Sequence, residues 1–150
     1  MRLLSLLVLG LAGPAISQEV SNCDWRAVPA NIAEPWSENT RVFANGAVRV
    51  AALDTVEPAL GFAYFLVISP PRDDLGIRQC QLVGGPTGMG FAGMDFDGLA
   101  ATYDPAIGLN FEVIVQVYDP ETDTTPRRLL SVTVNQATGG VAAQLWADNL

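Results

Sequence analysis

The chain has no histidine and no lysine; all eight of its basic residues are arginine. Each absence removes a class of chemistry. Without imidazole there is no Ser-His or Cys-His nucleophile pair and no histidine metal ligand. Without lysine there is no Schiff base, no Ser-Lys pair and no lysine-bearing phosphate loop. Cysteine is nearly absent as well. Cys23 and Cys80 are the only two, and they form no Cys-x-x-Cys redox motif. Past the N-terminal segment no apolar run approaches the roughly 20 residues that span a bilayer; the longest, residues 62–68, is strand-sized. Positive charge is also scarce, with 16 acidic residues against eight arginines and a net charge of −8. That balance repels nucleic acid and anionic lipid, and disfavours both as partners. No motif calls for a cofactor.

What is present begins with a leader-like segment. Arg2 gives a short positive start, residues 3–12 form an apolar stretch of h-region length, and Gly13-Pro14 breaks it. Ala15-Ile16-Ser17 places small residues where a signal peptidase reads them, so residues 1–17 are expected to be cleaved ahead of Gln18. Loss of Arg2 makes the mature chain one unit more negative. Residues 18–150 suffice for one domain with its own core. Export implies the periplasm or the exterior, and there Cys23 and Cys80 are expected to be joined.

Residues 18–38 read as an irregular arm. Pro29 and Pro35 interrupt it, and Ile32, Trp25 and Trp36 follow no regular period. From residue 39 onward the pattern is a β domain of about eight short strands. Residues 40–43 and 47–54 flank Asn45-Gly46, a strong hairpin turn. Residues 61–69 suit a strand buried on both faces and ended by Pro70-Pro71. Along 77–83, Cys80 and Leu82 fall on one side and Gln79 and Gln81 on the other. A glycine-rich loop over 84–90 precedes a strand over 91–103 whose parity changes at Gly98, the mark of a bulge. In 109–117 the residues Leu109, Phe111, Val113, Val115 and Val117 share a face, as do Leu130, Val132 and Val134 in 129–135. Residues 141–147 are read as a strand rather than a short helix. With no βαβ alternation, the expected fold is all-β: one antiparallel domain, barrel or sandwich, with an irregular N-terminal arm.

Three constellations bear on function. Asp95 and Asp97 sit two apart on an expected strand and share a face opposite Met94 and Phe96. A carboxylate pair about 5–10 Å apart serves glycoside hydrolysis, yet the solvated face of a half-buried strand also accounts for the pattern. Asp119, Glu121 and Asp123 alternate as calcium ligands do. The glycine an EF-hand needs at its sixth position is Thr124, and the acid it needs at its twelfth is Leu130, so the segment reads as a hairpin tip. Trp25, Trp36 and Trp146 either cover the ends of the core or line an interface.

In profile the chain resembles the small periplasmic inhibitors of lysozyme, which are exported, acidic, disulfide-bonded β-barrel domains. The likeness is compositional and assigns no residue. With the common catalytic constellations missing, the expected role is a non-catalytic binding or structural module, and the likeness implies inhibition of a basic hydrolase such as lysozyme as one form of it. A carboxylate-dependent hydrolase using Asp95 and Asp97 is the alternative. A basic protein surface is the partner that the charge favours. The acidic clusters available for it are Asp73-Asp74, Asp95 with Asp97, and Asp119 through Asp123.

Overall fold

The computed structural model describes residues 16–147. Most of the expected leader, residues 1–15, lies outside the described residues. All eight expected strands are present: β3 (Thr40–Phe43), β4 (Val48–Asp54), β5 (Ala63–Arg72), β6 (Arg78–Val83), β7 (Gly93–Asp104), β8 (Gly108–Gln116), β9 (Arg127–Val134) and β10 (Val141–Ala147). Two short strands precede them, β1 (Ile16–Ser17) and β2 (Val20–Asn22). The arm is therefore irregular except for β2 and one turn of 3-10 helix at Pro29–Asn31.

The strands form two antiparallel five-stranded sheets, ordered β1-β10-β9-β8-β7 and β2-β6-β5-β4-β3. Each is a meander of sequential hairpins extended by one N-terminal strand. Two separate sheets make this a sandwich, which resolves the choice between sandwich and barrel.

Period-2 alternation builds the core between the sheets. Phe111, Val113 and Val115 on β8 and Leu130, Val132 and Val134 on β9 are fully buried, and they face Val48, Val50, Phe65, Val67 and Val83 of the other sheet. The Phe111 ring lies 5.0 Å from Phe43 and 6.0 Å from Phe65, tilted to both, an arrangement that favours aromatic pairs.

β5 is buried on both faces, as its continuous apolar run requires. Its inward residues Ala63, Phe65 and Val67 enter the main core. Tyr64 and Leu66 point outward into a second cluster with Ala51, Leu53 and Leu82. The arm covers that cluster through Cys23, Ala27 and Ile32. Cys23 and Cys80 form a disulfide, the Cys23 amide donates to the Cys80 carbonyl, and the Ala33 amide donates to the Ala52 carbonyl. Cys80 and Leu82 thus face the arm. Gln79, on the opposite side of β6, reaches across and donates to the Gly139 carbonyl at 2.7 Å.

The turns follow local chemistry with two corrections. Asn45 and Gly46 take left-handed φ of 53° and 90°, but Ala44 does so too at 51°. Because Phe43 pairs with Val48, the connection is a four-residue loop with a 3-10 turn at Ala44–Gly46 and not a tight two-residue turn. The register shifts between Asp95 and Ala100, so the break at Gly98 is a bulge. Pro70-Pro71, expected to end β5, does not: the strand runs on to Arg72 with a register shift after Ser69. The pairing with β4 extends no further along β5 than Ile68. The prolines meet a ladder on one side only, where a missing amide is tolerated.

Candidate functional site

Asp95 and Asp97 flank Phe96, whose side chain is buried while both carboxylates are exposed. The register shift lies between Asp95, which still pairs with Ile114, and Ala100, so Asp97 falls within the bulge, and this separates their roles. Asp95 accepts a hydrogen bond from the Gly98 amide at 3.3 Å, across the bulge. Asp97, with its side chain 95% exposed, sits 3.9 Å from an Arg41 guanidinium nitrogen. A hollow of about 570 Å³ lies along the outer face of this sheet, lined by Asp95, Ile114, Gln116 and Arg127 together with Phe62. Asp95 lines it and Asp97 does not. The structure therefore sets one carboxylate, not two, at this hollow.

Of the other clustered acids, Asp119, Asp123 and Asp73 make local hydrogen bonds. Asp119 accepts from the Glu121 amide at 2.9 Å and from the Thr122 hydroxyl at 2.9 Å. The first of these bonds holds its carboxyl below the ordinary carboxylate range. Asp123 takes φ of 51° and accepts from the Tyr118 hydroxyl, which raises the phenol above its usual value. Asp73 accepts from the amides of Leu75 and Ile77. Among the described residues no three His, Cys, Asp or Glu side chains converge as metal ligands.

The arm and the glycine-rich loop meet at a feature that residue patterns do not reveal. Arg26 forms two short bonds to Asp24, Nη2 to Oδ2 at 2.7 Å and Nε to Oδ1 at 2.9 Å. This bond lowers the Asp24 carboxyl and raises Arg26 further above its normal value. The guanidinium lies 4.8 Å from the centre of the Tyr64 ring. On the loop side, a Cβ on Gly90 would come within 2.8 Å of that ring and 2.5 Å of the Ala63 carbonyl oxygen. Only glycine allows this approach. Gly84 and Gly90 thus follow from packing around Tyr64, while Gly88 answers to its φ of 76°.

Of the tryptophans, Trp25 is 69% and Trp36 48% exposed, while Trp146 is half-buried on β10. Trp25 and Trp36 leave more of their surface in water than a side chain closing a core would.

The least protected element is β7, which ends its sheet. From Ala100 to Asp104 every residue is exposed. Four exposed carboxylates accompany it: Asp95 and Asp97 before this stretch, Asp104 at its end, and Glu112 opposite Ala100 on β8. Sequence periodicity identifies the strand but not its edge position, because that depends on which distant strands pair. No helix among the described residues is long and apolar enough to cross a membrane. No family model matches the chain, and neither a curated protein nor a solved structure shows significant similarity to it.

Proposed function

We propose that this chain is an exported, non-catalytic binding domain whose partner presents a basic surface. The observation that carries the reading is the row of exposed carboxylates along the β7 side of the sandwich, in a chain of net charge −8. Like charges placed together cost free energy unless they meet an opposite field, and such a field steers encounter. The disulfide accords with an oxidising compartment. Cleavage of residues 1–17 and release into the periplasm or the exterior complete the reading. Basic hydrolases, lysozyme among them, are partners of the right charge. Asp95 is engaged by the Gly98 amide and Asp97 lies beside Arg41 and outside the hollow, an arrangement that favours binding over carboxylate-dependent hydrolysis.

The test is titration of the exported protein against a panel of basic hydrolases at low salt and at about 1 M salt, where the Debye length is about 3 Å. At least one should bind more tightly than about 100 μM at low salt and lose at least about tenfold at high salt. If every member binds more weakly than that, the acidity serves solubility and the reading is wrong.

A further inference from the structure

Four strands lie at the lateral ends of the two sheets, and they differ in how they are protected. β2 has three residues and β3 four. Short edges offer little to pair with. The two-residue β1 lies within the segment proposed to be cleaved, which leaves β10 at that end, and β10 carries no carboxylate from Val141 to Ala147 to draw a basic segment. β7 has 12 residues. Its first half is guarded by the bulge, by Asp95 and by Asp97. From Leu99 to Tyr103 there is no charge and no proline, and from Ala100 onward the register with β8 is regular.

We infer that the Leu99–Tyr103 stretch of the β7 edge accepts a basic, extended segment of a partner protein as an added strand. The inference rests on the proposed basic partner and names its docking surface. Backbone groups on the far side of β7 pair with no strand among the described residues, and the small side chains of Ala100, Ala101 and Thr102 leave room for an incoming chain. Ala101 and Tyr103 lie opposite Phe111 and Leu109, so they continue the core-facing side of the sheet past its covered part. Tyr103 is 64% exposed there. An added strand would set alternate apolar side chains beside Leu99, Ala101 and Tyr103, in the manner of β-augmentation. Its remaining side chains would fall near Glu112, with Asp97 and Asp104 at the two ends. Positive charge suits those positions. A second copy of this chain does not, because antiparallel self-pairing about Ala101 would bring the Asp97 and Asp104 carboxylates of the two copies together.

The experiment uses two synthetic peptides of equal length and charge, one alternating Arg with Val and the other alternating Arg with Pro, which cannot donate along a ladder. The Arg-Val peptide should bind at low salt about tenfold more tightly than the Arg-Pro peptide, and should slow amide exchange within Leu99–Tyr103. The double variant Asp97→Asn/Asp104→Asn, which keeps the edge intact, should weaken Arg-Val binding about fivefold or more. Equal binding of both peptides, with unchanged exchange at Leu99–Tyr103, would overturn strand addition and leave the basic-partner reading standing. If neither peptide binds while a basic hydrolase does, strand addition is again overturned and that reading again survives. Absence of binding by peptides and hydrolases alike removes both.

Discussion

Replacing both Cys23 and Cys80 with serine should lower the free energy of unfolding by about 4 kcal/mol, read as a fall in the urea midpoint at unchanged slope. The magnitude follows from the 57-residue separation of the two cysteines, since a crosslink removes more freedom from the unfolded chain as the loop it closes lengthens. The folded side matters too. The arm covers Tyr64, Leu66 and Leu82 with few backbone bonds, notably those from Cys23 to Cys80 and from Ala33 to Ala52. Without the disulfide, the second cluster depends on those bonds and on Arg26. A loss below about 1 kcal/mol would mean that the unfolded chain was already constrained, or that the arm contributes little to stability.

Phe111→Ala should cost about 3–5 kcal/mol, the range for an aromatic side chain removed from a packed core. Phe111 is fully buried and its ring contacts those of Phe43 and Phe65, so truncation leaves a cavity bordered by both sheets. Tyr103→Ala supplies the contrast. It too is an aromatic residue on the meander that contains Phe111, but it is 64% exposed, and its loss should stay within about 0.5 kcal/mol. Similar costs for the two would contradict the arrangement of the core. Chemical denaturation of both variants settles the comparison.

The strands were legible where burial is one-sided and alternation clean. Leu109, Phe111, Val113 and Val115 fall on the core face, and Val141–Ala147 is a strand because its alternate residues Ala143 and Leu145 enter the same core. What local pattern could not supply was pairing. Val20–Asn22 becomes a strand because the edge of β6 is beside it, and two or three residues carry no period of their own. Pro70-Pro71 looked like a terminus, yet β5 continues because β4 has already stopped at that height. The side of β6 bearing Cys80 faces the arm, since the arm is itself a covering layer.

The same limit governs the candidate site. Asp95, Asp97 and Asp119 were visible as acids, but their engagement by backbone amides and Arg41 depends on turn and bulge geometry. The contact of Arg26 with Tyr64 joins residues far apart in sequence. The openness of β7 is a property of sheet order and is written in no single segment.

Amide hydrogen exchange on the free domain tests the central claim, that this sandwich is closed around its core and open along β7. Amides of Val113, Val115, Leu130 and Val132, within the central strands, should exchange only through global unfolding. Within Leu99–Tyr103 the amides directed away from β8 should exchange orders of magnitude faster, alternating with protected neighbours. Uniform protection across Leu99–Tyr103 in the free domain would mean the edge is already covered, and would contradict the account.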